Sequence, residues 1–214
     1  MRYFRSQQEG FSLVETLVAI TILLIVVVGP MKIIISASNS TSFSGEQVVA
    51  FFLAQEGAEI AQKARDDLVL KKYIPDIAPN VHDPEYIEKP WDDFTDTSGT
   101  YRRCFESNGC RMELNSDSNV GGLKSADSCV AGSDNKCLLY IANTPGKRSR
   151  YTYDVNSGTN PNTKTPYTRV VSFDATGLPA GQLKVTSKVT WRTGSLKDVQ
   201  QVEVVTYLFD VYGS

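Results

Sequence analysis

Residues 10–35 read GFSLVETLVAITILLIVVVGPMKIII, and this stretch decides how the rest of the chain is read. A polar head, MRYFRSQQE, precedes it. One carboxylate, Glu15, stands four residues after Phe11, and from Leu17 to Ile35 the only charged residue is Lys32. As a helix rising about 1.5 Å per residue, that run reaches roughly 28 Å, close to the hydrocarbon thickness of a bilayer. A secretory signal peptide fits poorly. Its apolar core is only about 7–15 residues long and is followed by a small-residue cleavage site, whereas here the chain continues as SASNSTSFSGEQ. A plain single-pass anchor explains the length but not the acid. A carboxylate costs about 2.5–3.5 kcal/mol at the centre of a membrane helix and less near its end. Glu15 therefore needs a partner.

Gly10 followed by Phe11-Ser12-Leu13-Val14-Glu15-Thr16-Leu17-Val18-Ala19-Ile20 resembles the prepilin N-terminus of type IV pilins and type II secretion pseudopilins. The resemblance lies in a short basic leader, a glycine, an aromatic residue, an acid four residues on and an apolar helix. It implies cleavage between Gly10 and Phe11 by a membrane-bound prepilin peptidase, and N-methylation of the new Phe11 amino group. It also implies that Glu15 pairs with that group on a neighbouring subunit as a filament assembles. Physical chemistry supports the last role on its own terms. A charge inside an apolar bundle must be paired, and a freshly made N-terminal cation has the right sign and depth.

With 214 residues and 41% hydrophobic residues, the chain has room for one globular domain beyond the helix. A net charge of −2 leaves no electrostatic footprint for nucleic acid. Arg2 and Arg5 against Glu9 make the head basic, which keeps that end in the cytoplasm and puts the C-terminal bulk outside. The expected location is thus the cytoplasmic (inner) membrane, with a surface or periplasmic filament after assembly. Lys32, near the far end of the run, can snorkel to the headgroups. Cys104, Cys110, Cys129 and Cys137 suit an oxidising compartment and allow three disulfide pairings. The two local loops, Cys104–Cys110 and Cys129–Cys137, are favoured. Zinc is the weaker competitor, because no C-x2-C pair is present.

Helical signals continue past the apolar run. Val49, Leu53, Gly57, Ile60, Ala64 and Leu68 recur at steps of three and four, giving one apolar face. Pro75 marks the stop near Lys72. Gly29-Pro30 and the serine-rich stretch 36–42 are weak points, where the helix either loosens, as the resemblance suggests, or merely kinks. Residues 75–100 read as loop, with Trp91 and Tyr86 plugging the junction between helix and sheet. Strands are expected at Tyr101–Phe105, Arg111–Leu114, Cys137–Ala142, Arg150–Val155, Tyr167–Phe173, Gln182–Arg192 and Val199–Asp210. In the penultimate run, Leu183, Val185, Val189 and Trp191 share a face. The last is apolar on both faces near its end, which suggests a strand covered on both sides. A tryptophan-ended strand, a polar turn and a strand closing on Thr206-Tyr207-Leu208 resemble the C-terminus of minor pilins of the pilus-modification subclass and of minor pseudopilins.

The motifs of several chemistries are missing. There is no nucleophile signature, no phosphate-binding loop and no dinucleotide fingerprint, and Gly121-Gly122 lies in a Ser/Asn loop. His82 is the only histidine, beside Asp83 and Glu85, and reads as solvated. Asp92, Asp93 and Asp96 likewise lack calcium-loop spacing. No enzyme, no cofactor and no metal is expected.

The expected fold is α+β and type IV pilin-like: a long N-terminal helix, its first half membrane-spanning, packed on a C-terminal antiparallel sheet of about four or five strands. The expected divisions are a leader at 1–10, a transmembrane and assembly half at 11–35, an amphipathic half at 36–74 and an exoplasmic β-rich domain at 75–214. The expected partners are the prepilin peptidase, other pilins or pseudopilins, the membrane, and an assembly platform with its ATPase. The function implied is a structural subunit, a minor pilin or a pseudopilin of a type II secretion system. A single-pass binding protein with an uncut N-terminus is the rival.

Overall fold

Residue 12 marks the start of regular structure: the Ser12 carbonyl accepts the first helical hydrogen bond, from Thr16 N at 3.1 Å. In the computed structural model the described residues are 10, 12–73, 89–114, 123–124, 126–129, 136–143, 149–157, 160–192 and 198–211. The leader residues 1–9, Phe11, His82, Asp83, Glu85, Tyr86, Gly121-Gly122 and the linker 193–197 lie outside them.

Helix α1 is continuous from Leu13 to Tyr73, ending within a residue of its expected stop. It stays helical through Pro30 and through the serine-rich stretch, so the expectation of a loosened segment is corrected. Thr41 Oγ1 donates to the Ala37 carbonyl at 3.0 Å and Ser44 Oγ to the Ser40 carbonyl at 2.9 Å. These hydroxyls bond back onto their own helix and do not offer its backbone an alternative turn. The chain divides into two compact units, residues 1–45 and 46–214. α1 contributes to both.

In the second unit, the part of α1 from Glu46 onward buries one face. Its buried residues are small: Ala50, Ala54, Ala58, Ala61 and Ala64, with Leu53, Gly57 and Ile60. Small side chains let the helix backbone approach the sheet closely. At Gly57 an added Cβ would lie 2.3 Å from Ser187 Oγ and 3.1 Å from Arg169 Cδ, so only glycine fits without a shift.

The sheet is antiparallel throughout. Its strands are β1 (Cys110–Arg111), β2 (Asp127–Ser128), β3 (Leu138–Ile141), β4 (Tyr151–Thr152), β7 (Thr163–Asp174), β8 (Gln182–Trp191) and β9 (Gln200–Phe209). β5 (Asn156–Ser157) and β6 (Asn160–Pro161) form a separate two-stranded ribbon. β9, β8 and β7 run side by side, and the far edge of β7 is shared by β1 near Val171 and β3 near Thr163–Thr168. β2 lies outside β1 and β4 outside β3. The seven strands exceed the four or five expected, because four of them are only two to four residues long.

Strict alternation buries every second residue of β7 and β8. Leu183, Val185, Val189 and Trp191 share the inward face as their spacing predicts, with Ser187 at the same parity. They pack with Ile60, Ala61, Ala64, Trp91, Phe94, Tyr101 and Phe173 in one core. Phe94 stands 5.3 Å from both Tyr101 and Phe173, and Phe105 stands 5.4 Å from Phe173. Trp91 is thus in the core beneath the helix.

Three local expectations are corrected. Residues 75–100 are not all loop: Pro90–Thr95 form a short helix, α2. Pro90 fits its first turn, where no backbone donor is needed, and Trp91 and Phe94 bury one side of it. Residues 101–105 are not a strand but include a 3-10 turn, Arg102–Phe105. A disulfide ties Cys104 to Cys110 across six residues, and Gly109 at φ 64° turns the chain back. Six residues cannot close on themselves while extended. Finally, β9 is not covered on both sides. It pairs only with β8, and Val205, Tyr207 and Phe209 are exposed at 46%, 48% and 47%. The second disulfide joins Cys129 to Cys137, also within a local loop.

Candidate membrane and assembly site

Gly10 is exposed and sits just ahead of the helix start. Glu15 follows in the first turn of α1, where the unsatisfied N–H groups favour a negative charge. Thr16 Oγ1 donates to the Leu13 carbonyl at 2.9 Å, and Thr21 Oγ1 to the Val18 carbonyl at 2.8 Å. Both hydroxyls are therefore satisfied by the helix itself and present little polarity outward.

Every side chain from Leu13 to Ile35 is exposed, and its large apolar residues lie between 48% and 79% open. This surface is apolar on all sides of the helix, whereas a surface helix of a soluble domain is apolar along one stripe. A contiguous apolar surface this large requires either hydrocarbon or other apolar helices around it. The helix is long and apolar enough to cross a membrane. Glu15 is its one acid, placed at the end where an added cation could reach it.

The second unit holds a polar cluster that sequence analysis missed. Arg169 on β7 is 1% exposed. Its Nε donates to Tyr153 Oη at 2.8 Å, Nη1 to Glu56 Oε2 at 2.8 Å and to the Leu53 carbonyl at 3.2 Å, and Nη2 to the Met112 carbonyl at 3.3 Å. The guanidinium also lies 5.2 Å from the centre of the Tyr153 ring. Burial acts to lower its pKa, but Tyr153 and Glu56 more than offset this and the pKa is raised. Burial in turn pushes the Tyr153 phenol up. One side chain thus ties α1, β7 and the segments at Met112 and Tyr153 together. A signal existed: Arg169 shares the parity of Tyr167, Val171 and Phe173, so it had to point inward.

The cysteines are paired in the second unit and Glu15 lies in the first, so the candidate residues form no single centre. Asp96 is a turn residue, held below the usual carboxylate range by hydrogen bonds from Ser98. Among the described residues no group of three or more His, Cys, Asp or Glu side chains could hold a metal ion.

A helix apolar all round that continues into a helix packed on an antiparallel sheet defines an α+β protein carrying its own N-terminal membrane segment. Residues 5–29 match the family described as the prokaryotic N-terminal methylation motif. The chain therefore has the N-terminus of the type IV pilin and pseudopilin family, and its long helix and antiparallel sheet agree with that fold. No curated protein and no solved structure matches the chain.

Proposed function

We propose that the protein is a structural subunit of a type IV pilus-like filament, a minor pilin or a pseudopilin. It is inserted with Arg2 and Arg5 on the cytoplasmic side, cut after Gly10, N-methylated at Phe11 and drawn into a filament by helix packing. Residues 1–10 are then the leader, 11–35 the transmembrane and assembly half of the helix, 36–74 its amphipathic half, and 75–214 the exoplasmic domain. The observation that carries this reading is a helix exposed and apolar on every side, with its one acid in the first turn, inside a methylation motif. In the membrane, lipid covers that surface. In a filament, the same surfaces of neighbouring helices cover one another.

Glu15 sets the register of such packing. Left unpaired among apolar helices, a carboxylate destabilises the assembly by about 3–5 kcal/mol. The Phe11 amino group of a neighbouring subunit removes that cost, but only after cleavage has freed it from the peptide bond with Gly10. Cleavage therefore acts as a licence for assembly. The working partners are the prepilin peptidase, other subunits of the filament, and an assembly platform whose ATPase supplies the energy. The role is structural, not enzymatic.

The test is the N-terminal mass of the protein taken from its native membrane. A chain starting at methylated Phe11 is the expected result. A chain still starting at Met1, in cells with an active prepilin peptidase, would leave a membrane-anchored binding protein instead. Copy number per cell separates a minor subunit from a major one.

A further inference from the structure

β9 is an edge strand of ten residues with no device that blocks its edge. Edge strands are usually protected by lysine, proline or a bulge, since their free N–H and C=O groups pair readily with another strand. Gln200–Phe209 contain no lysine and no proline, and β9 pairs with β8 in unbroken register from Gln182↔Phe209 to Trp191↔Gln200. The single acid, Glu203, is already matched by Lys188 at 3.5 Å.

The direction of the free groups follows from two hydrogen bonds. Asp210 N donates to the Gly181 carbonyl at 2.8 Å, so even-numbered residues here direct their backbone toward β8. Arg65 Nη1 donates to the Phe209 carbonyl at 3.3 Å, so odd-numbered residues direct theirs away. The outward backbone groups thus belong to Gln201, Glu203, Val205, Tyr207 and Phe209. The last three also carry the exposed apolar side chains. Only an extended peptide backbone offers donors and acceptors at the spacing this edge requires.

We propose that β9 pairs edge to edge with β9 of a second copy, antiparallel, about a two-fold axis through Tyr207. That register places Val205 opposite Phe209 of the second copy and Tyr207 opposite Tyr207. Each outward donor then faces an outward acceptor, and both apolar triplets become one cluster. Glu203 falls opposite Val211, so no acid meets an acid. A self-complementary patch of this kind is what a two-fold interface requires. The proposal does not depend on cleavage at Gly10.

Cysteine cross-linking of the full chain in membranes tests it. Residues facing each other across an antiparallel pair have Cα atoms roughly 4.5–5.5 Å apart, within disulfide range. Tyr207→Cys should give a disulfide-linked dimer under mild oxidation. Lys184→Cys, directly beside Tyr207 on β8 but one strand further from the axis, should give at least fivefold less. Adding Val205→Pro to Tyr207→Cys should abolish the dimer, because the Val205 N–H faces away from β8 and the fold does not use it. Val205→Lys at the same site serves if the proline variant does not fold. Equal cross-linking at 184 and 207, no dimer at 207, or an adduct with a different protein would each overturn the proposal. The N-terminal mass of the same sample is read separately, so failure of this pairing and failure of the pilin reading are distinguishable.

Discussion

The two halves of α1 belong to one helix but obey different packing rules. From Leu17 to Ile35 the residues are large and apolar on every side, and all are exposed. From Ala50 to Ala64 the buried residues are mostly alanine and glycine along one face, with Gln55, Glu59 and Gln62 on the open side. The first half stabilises nothing inside its own chain. It offers a surface to a fluid or to many identical neighbours, so bulk on every side serves it. The second half must fit one fixed sheet, so small side chains at the contact matter more than total hydrophobicity. How apolar residues are distributed around a helix therefore tells what covers it.

The sharpest way to break this comparison is the same truncation in both regions. Leu183 is fully buried beneath the second half of the helix. Leu183→Ala should cost about 2–5 kcal/mol of domain stability, through lost burial and the cavity left behind. Leu23→Ala, in the exposed half, should leave the denaturation midpoint of the domain unchanged. Unfolding curves of both variants in detergent would check this, and a matching loss at Leu23 would mean that its surroundings are packed by the domain.

A smaller effect concerns the close approach of helix and sheet. Gly57→Ala should cost about 1–3 kcal/mol by overpacking against Ser187 and Arg169. Ser187 Oγ is buried without a hydrogen-bond partner. Ser187→Ala should therefore relieve the clash and restore part of the loss in the double variant. Additive effects in a double-mutant cycle would show that the two sites do not touch. At Gly29, in the exposed half, an added Cβ meets nothing, and Gly29→Ala should leave the domain as stable as before.

The smallest effect is electrostatic. Burial pushes the Tyr167 phenol up to about 12, helped by Tyr151 and Glu46. An unfolded tyrosine titrates near about 10. The folded state therefore holds its proton more tightly, and the contribution is fully present below pH 10. It is lost as pH rises toward 12, because the unfolded chain ionises first. Domain stability should fall across that window, and the slope should shrink in Tyr167→Phe. An unchanged slope would place the titration elsewhere.

Much of this was legible in the residues. The apolar run, its length and its lone acid are one-dimensional facts, and hydrocarbon thickness converts them directly into a membrane span. The alternation of β7 and β8 and the stripe on α1 are periodic, and period fixes which face is buried. The disulfides are local, so loop closure favoured them over distant pairings. The strand expected at Tyr101–Phe105 failed because a six-residue disulfide loop overrode local preference, and Pro90–Thr95 were hidden in a run rich in turn residues.

The sequence by itself determined that this protein has a membrane-length N-terminal helix, an acid that needs a partner, and an antiparallel sheet to receive the helix's second half. Only the tertiary structure decided that Arg169 is the buried tie between helix and sheet, that Gly57 is the point of closest approach, and that β9 stands at an open edge. Periodicity records which side of an element faces inward. It does not record which element lies opposite, and hydrogen-bond partners more than a hundred residues apart are set by that neighbour alone.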